Sequence, residues 1–492
     1  MMSFLLSYHI TRLYNIISLR RCQFVLNGCF YSYNIGIVRP RCFMTHNHFQ
    51  LKGISFGRLM KSPIIIGTFF LTFSGLITKL IGFFYRIFLS RIFQEEGLGI
   101  IGLVSPVMVL AHSVCSAGIQ NAITRFVAAS KGSRKGEGFG YLFVGILLSV
   151  TLSLLMAWLV FTNANYIAIH VIGEIRCVPL LRISALSFPL ATVHCCINGY
   201  FYGKKRAAVP AASMLIEQLT RVFSVYLLYQ ITLKLGANVS ISFVCIGMLA
   251  GEFASAIFSC IFLVFTPSDS QQIKISSNMW GNIIALAFPI SLNRVCISII
   301  STVETLQIPR QLINSGLALS DALSVYGVFS GMAFPLIMFP SALTTAVSSL
   351  LLPSVSEAQI LGNNRRIKKL ICITTAFCFA LGVGCMLFFL VFADILGTYL
   401  FASPIAASQI RALSFVCPFL YMSGALCSIL HGLGKTAITF VFNLSSILLR
   451  LVFVFIAIPV LGFSGYLYGI IVSQIFFDLL IILALRKYII YN

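Results

Sequence analysis

The chain has 492 residues, of which 59% are hydrophobic and only 9% charged, and its mean hydropathy is +0.98. That balance excludes an ordinary soluble domain, and repeated apolar runs of about twenty residues identify a polytopic helical membrane protein. The net charge of +22 does not point to nucleic acid, because the basic residues gather in short clusters between apolar runs, where membrane topology is written.

Residues 1–59 carry Arg12, Arg20, Arg21, Arg39, Arg41, Lys52 and Arg58, no Asp or Glu, and no apolar run long enough to span. A basic, acid-free leader suits a transit peptide or an amphipathic helix lying on anionic lipid. The other reading places the natural start at Met60, where Met-Lys-Ser-Pro opens the first span directly. From there twelve spans are expected, at about 62–93, 99–126, 139–161, 179–203, 208–233, 240–266, 279–306, 322–353, 369–392, 409–431, 436–459 and 463–485. The predicted fold is all-α, with a six-helix lobe over 60–268 and a second six-helix lobe over 269–492. Basic clusters follow the even-numbered spans: Lys131, Arg134 and Lys135; Lys204, Lys205 and Arg206; Lys274; Arg365, Arg366, Lys368 and Lys369; Lys435; and Arg486 with Lys487. The odd-numbered loops carry Glu95 and Glu96 or isolated basic residues, so both ends of the core are expected in the cytoplasm.

A repeat runs through these spans at one offset. Pro106 corresponds to Pro335, Leu181-Arg182…Pro189…Gly203 to Ile410-Arg411…Pro418…Gly432, and Arg221 to Arg450, every pair 229 residues apart. Six spans return the chain to its starting side, so the repeat is parallel, with a pseudo-twofold along the membrane normal, as secondary transporters use it.

The first span holds Lys79 and Arg86 about two helical turns apart, on one face with Thr78 and Gly82. A cation in mid-span costs roughly 2.5–3.5 kcal/mol on insertion scales unless it faces water, protein or an anion. With Arg294 in the seventh span, the leading helices of both halves carry positive charge. One reading is a cationic cavity for an anionic head group such as a phosphate. The other is structural pairing with Glu304 or Glu217, or snorkelling toward the head groups. Glu217 and Arg221 form an i,i+4 pair in the favourable orientation. Glu252 and Asp478 are candidates for a coupling proton or sodium, or for polar packing. Arg450 mirrors Arg221 but has no obvious local acid, and His112 and His194 are read as satisfied within the bundle. Pro106, Pro189, Pro289, Pro335, Pro340 and Pro418 permit bending, and Gly199-x-x-x-Gly203 and Gly327-x-x-x-Gly331 permit close helix packing.

Fifteen cysteines are scattered through apolar runs without metal-ligand spacing and are read as small buried hydrophobes. There is no phosphate-binding Gly-x-x-x-x-Gly-Lys-Ser/Thr loop. No enzyme activity, cofactor or metal is expected.

Gly75-Leu-Ile-Thr-Lys-Leu-Ile-Gly-Phe-Phe-Tyr-Arg86, Glu96-Gly-Leu-Gly99 and Ser116-Ala-Gly118 resemble the opening of the stage V sporulation protein B family. Gly199-Tyr-Phe-Tyr-Gly203, Glu217-Gln218…Arg221, Ile308-Pro-Arg310, Gly331-Met-Ala-Phe-Pro335 and Pro353-Ser-Val-Ser-Glu357 extend the resemblance to the whole of the core. That family lies in the polysaccharide-transporter branch of the multidrug/oligosaccharidyl-lipid/polysaccharide flippase superfamily. The resemblance implies the two-lobed fold of multidrug and toxic compound extrusion transporters. It also implies movement of a polyprenyl-pyrophosphate-linked glycan across a bacterial cytoplasmic membrane, akin to the lipid II flippase. Basic cavity residues contact the pyrophosphate in that group, a role that falls here to Lys79, Arg86 and Arg294; Glu217, Arg221, Glu252, Glu304 and Arg450 are candidate supporting or ion-coupling residues. The expected partners are a lipid-linked anionic glycan and membrane lipids, without nucleic acid, for a monomer. Family members usually continue for two further spans, so the resemblance implies either a twelve-span variant or a shortened chain. The alternatives are a cation-coupled multidrug exporter of the same fold and a non-transporting scaffold in cell-envelope or spore assembly.

Overall fold

The computed structural model describes residues 63–130, 137–266 and 276–490, and among them every regular element is helical. The basic extension 1–59 and the loop residues Lys131, Arg134, Lys135 and Lys274 lie outside the described residues. The described residues from Gly67 onward belong to one compact body.

The first half contains α1 (Pro63–Cys115), α2 (Ala117–Ala129), α3 (Glu137–Thr162), α4 (Cys177–Ala185), α5 (Ser187–Gly203), α6 (Ala208–Lys234) and α7 (Ser242–Phe265). The second half contains α8 (Ser277–Asn314), α9 (Leu319–Val328), α10 (Phe334–Met338), α11 (Ser341–Ile360), α12 (Asn364–Ile395), α13 (Pro404–Ser414), α14 (Cys417–Gly432), α15 (Thr436–Leu461) and α16 (Phe463–Ile490). Three π-helical turns sit among them, at Ile167–Ile172, Phe329–Ala333 and Leu396–Leu400. Among the described residues, eight helical stretches are long and apolar enough to cross a membrane, or ten if each bent pair is one span. The first, Phe73–Ala129, covers two expected spans, because α1 breaks at Gln94, where φ is 55° and ψ −166°. The more polar α6 is not among them, although its 27 residues have the length of a span.

The 229-residue offset of the sequence reappears in the backbone. The π turns Ile167–Ile172 and Leu396–Leu400 are equivalent, and each is followed at the same position by a left-handed residue, Gly173 (φ 88°) and Ala402 (φ 55°). The next amides close equivalent hydrogen bonds, from Glu174 N–H to the Ala168 carbonyl and from Ser403 N–H to the Gly397 carbonyl, both at 2.9 Å. Then come the bent pairs, α4 with α5 at 40° and α13 with α14 at 55°. Their cause is in the sequence: Pro189 and Pro418 lack the N–H that the Ala185 and Ser414 carbonyls need, and the proline ring crowds the preceding turn. Both pairs end on a glycine against a neighbouring helix. A Cβ on Gly203 would lie 2.8 Å from the Thr124 carbonyl, and one on Gly432 2.8 Å from the Leu352 carbonyl.

Apolar packing distinguishes the two ends of the bundle. Where the odd-numbered spans finish, one core joins both halves, from Leu89, Leu98 and Ile172 to Leu312, Leu323 and Phe401. The tightest crossing there sets α1 on α9, where a Cβ on Gly327 would lie 2.0 Å from the Glu95 carbonyl. At the opposite end the packing separates into two clusters. One joins α2, α3 and α5 with the first turns of α8; the other joins α11, α12, α14 and α16.

Candidate functional site

Three helices of the first half bring His194 of α5, Glu217 of α6 and Glu252 of α7 together, with their ligand atoms within 4.8 Å of one another. Glycine makes the approach possible. A Cβ on Gly251 would lie 2.7 Å from the Glu217 carbonyl, and one on Gly247 2.9 Å from the Arg221 carbonyl, so α7 lies directly on α6. Glu252, the next residue, is thereby delivered to Glu217. His194 Nδ1 stands 3.1 Å from Glu252 Oε2 without forming a hydrogen bond, whereas Glu217 is paired with Arg221 one turn along α6. Arg294 of α8 and His112 of α1 lie in electrostatic reach of this cluster. The His112 ring is held by the Ser116 hydroxyl, with Nε2 at 3.1 Å. Counted without Arg294, the two carboxylates against the Arg221 guanidinium leave one negative charge while the imidazole is neutral. One proton or one monovalent cation neutralises the group.

The second half solves the same problem differently. Arg450 of α15 reaches across to Glu304 of α8 with two donors, Nη2 lying 2.8 Å from Oε2, and the Tyr466 hydroxyl of α16 donates to Glu304 Oε1 at 3.0 Å. Arg450, which has no local acid in the sequence, thus takes an inter-helix partner 146 residues away, beyond the reach of local spacing. The position equivalent to Glu217 is Ser446, so Arg450 has no acid on its own helix and takes one from the leading helix of its half. Both carboxyl oxygens of Asp478 in α16 are buried without a hydrogen-bond partner.

Of the three cavity cations, Lys79 and Arg294 have exposed side chains and make no ion pair among the described residues. Neither Glu217 nor Glu304 is their counter-ion, because each is held by its own arginine. Arg86 is also exposed, but Nη1 donates to the Ser330 carbonyl at 3.0 Å. That carbonyl is orphaned by the local chain. The Phe334 amide is taken by the Phe329 carbonyl, and the residue that serves Ser330 in the same π register is Pro335, which has no N–H. The structure brings Lys79, Arg86 and Arg294 into no direct contact with one another.

Sequence reasoning missed His194 as a member of the charged cluster and Arg91 and Arg310 as cross-half donors. Gly247-x-x-x-Gly251 was the available signal for the α6–α7 crossing. At the end where the odd-numbered spans finish, Arg176 bridges Glu96 at 2.7 Å and Glu174 at 2.8 Å. Its donated hydrogen bonds hold the Glu174 carboxyl below the usual carboxylate range.

A family model described as polysaccharide biosynthesis protein matches residues 64–359, more than half of the chain. A second, MatE, matches residues 289–456. Stage V sporulation protein B of Bacillus subtilis (strain 168) is 25% identical over 434 residues, which cover 86% of this chain and 83% of that one. Among solved structures, an inward-facing multidrug resistance MATE family transporter of the MOP superfamily aligns with a TM-score of 0.66 at 17% identity, covering 84% of this chain and 94% of that one. The lipid II flippase MurJ in an inward closed conformation aligns with a TM-score of 0.65 at 15% identity, covering 86% and 87% respectively.

Proposed function

The chain belongs to the polysaccharide biosynthesis protein family, and from that premise we propose that it is a flippase for a polyprenyl-pyrophosphate-linked glycan, working by alternating access between the halves 60–268 and 269–492. The observation that carries this reading is the pair Lys79 and Arg294: cations on the leading helices of the two halves, exposed and without an acidic partner. A pyrophosphate supplies the missing anion. Lys79 offers a compact charge and Arg294 a planar fork suited to two phosphate oxygens. Arg86 adds the N–H groups left over from its bond to Ser330. The relatives point the same way, since one aligned structure is a lipid II flippase. The His194–Glu217–Glu252 cluster is the coupling element, gaining and losing one cation as the halves rock. Glu304 and Arg450 serve as an internal tie rather than as substrate ligands. The termini of the core lie in the cytoplasm of a bacterial cell, by the distribution of basic loops.

The test is translocation of a lipid-linked precursor in a strain depleted of its own flippase, with Lys79→Ala, Arg86→Ala and Arg294→Ala made singly. Transport should fall at least tenfold for Lys79→Ala and Arg294→Ala at unchanged expression, the loss of about 1.4 kcal/mol or more of charged contact. Full transport by all three variants would refute the site.

The charged cluster also favours a second reading, a cation-coupled exporter of cationic compounds, because buried carboxylates are what such a substrate would seek. Resistance to cationic dyes that is lost in Glu252→Gln, without any effect on lipid-linked precursors, would establish that reading instead.

A further inference from the structure

Arg91 and Arg310 have no part in the proposed substrate site, yet each crosses from one half to the other. Arg91, near the end of the first leg of α1, donates from Nη2 to the Tyr399 carbonyl at 2.9 Å and reaches the Leu400 carbonyl at 3.4 Å. Arg310, near the end of α8, donates from Nη2 to the Val171 carbonyl at 2.7 Å and the His170 carbonyl at 3.0 Å. The receiving groups are equivalent carbonyls near the ends of the two π turns, Leu396–Leu400 and Ile167–Ile172, with Tyr399 and Leu400 lying 229 residues after His170 and Val171. Helix ends leave such carbonyls without amide partners, at the negative end of the helix dipole. Here the chain makes sure that none returns. It turns left-handed at Gly173 and Ala402, and Pro404 stands where an amide for Leu400 would be. Each half therefore presents an orphaned helix end, and each half's leading helix carries the arginine that caps the other.

Both contacts lie at the end where one apolar core joins the halves, around Leu312, Leu323, Leu98 and Phe401. At the opposite end the apolar contact between the halves narrows to the first turns of α8, packed on α2, α3 and α5, while the cluster of α11, α12, α14 and α16 lies within the second half. We propose that Arg91 and Arg310 are paired latches that hold this outer face closed by capping the π-turn carbonyls of the opposite half. The chemistry suits a reversible closure. A guanidinium leaving a neutral carbonyl is rehydrated without an unpaired buried carboxylate being left behind, whereas parting an ion pair such as Glu304–Arg450 would strand one. The near-twofold placement makes the latches release together when the halves rotate apart. This inference rests on the alternating-access reading, but its test needs no substrate.

The test places a reporter thiol in the shared core by Ala322→Cys, at a position that is wholly buried in the closed face. The full chain is purified in detergent and treated with a hydrophilic maleimide, and modification at residue 322 is followed by peptide mass. Labelling should accelerate about tenfold in Arg91→Ala or Arg310→Ala and about a hundredfold in the double variant, as two similar closures are removed from one equilibrium. Arg91→Lys and Arg310→Lys, which keep the charge but lose the fork, should fall between wild type and alanine. The thiol of Cys378, wholly buried in the cluster of α11, α12, α14 and α16 within the second half, reports on general unfolding. Unchanged labelling at 322 in the double variant overturns the proposal, as does acceleration at 322 and 378 by the same factor. Failure of lipid translocation with the labelling pattern intact would discard the substrate and leave the latches standing.

Discussion

Replacing Arg86 by alanine strips the Ser330 carbonyl of the donor that reaches it at 3.0 Å. A hydrogen bond from a charged donor contributes roughly 1.5–3 kcal/mol, and the carbonyl left behind keeps its desolvation penalty if water cannot follow. Arg86→Ala should therefore destabilise the closed structure by about 2 kcal/mol, read as a shift in thermal unfolding of the detergent-solubilised protein. The carbonyl is orphaned by Pro335, so the proline and the arginine act on one oxygen. Pro335→Ala restores an N–H in the register that serves Ser330, at the cost of a more flexible unfolded chain, roughly 0.4–1 kcal/mol. In the double variant Arg86→Ala/Pro335→Ala, the new amide should take over the carbonyl, so the loss at Arg86 shrinks to well under half. A double-mutant cycle on Arg86→Ala, Pro335→Ala and the pair measures this coupling directly. Strict additivity would refute the account, since it would mean that Arg86 and Pro335 do not compete for the same oxygen.

The Glu304–Arg450 tie makes a second cycle: Arg450→Met alone leaves a buried carboxylate and should lose about 3–5 kcal/mol, while Glu304→Gln with Arg450→Met should recover most of it in the same unfolding assay. At the equivalent left-handed positions the signs should oppose, Ala402→Gly raising stability and Gly173→Ala lowering it, each by roughly 1 kcal/mol in thermal unfolding. The Glu174 carboxyl is held low by Arg176, so its contribution is complete above the unfolded value of about 4.3 and disappears as pH falls through the lower folded value. Unfolding followed from pH 6 to pH 3 should lose part of its acid sensitivity in Glu174→Gln.

The sequence revealed the spans, the bends and the repeat, because each is set by local chemistry: apolar length, a proline without its N–H, a glycine at a crossing. The same proline explains both what was foreseen and what was not. Pro335 was legible as a kink, but the carbonyl that it orphans, and the arginine 244 residues earlier that caps it, are matters of tertiary placement. Glu217–Arg221 was legible because it lies within one helix turn, whereas Arg450 finds Glu304 only when α15 is laid on α8. His194 looked like a satisfied lone histidine. Its neighbours Glu217 and Glu252 come from two other helices, and only the Gly247 and Gly251 crossing hints at that meeting.

The cations of the two leading helices divide by what they already hold, and the division separates structural from transport effects. Arg86, Arg91 and Arg310 each donate to backbone carbonyls of the opposite half. Lys79 and Arg294 hold no counter-ion among the described residues. A charge kept in the membrane interior without a partner is a standing cost that an anionic ligand removes. Lys79→Ala and Arg294→Ala should accordingly leave thermal stability unchanged or slightly higher while transport falls, and Arg86→Ala should lower both together. Adding inorganic pyrophosphate should then raise the unfolding temperature of the wild type more than that of either Lys79→Ala or Arg294→Ala, since a ligand stabilises only the state that binds it. Equal stabilisation of all three proteins would remove Lys79 and Arg294 from the anion site, whatever their effect on transport.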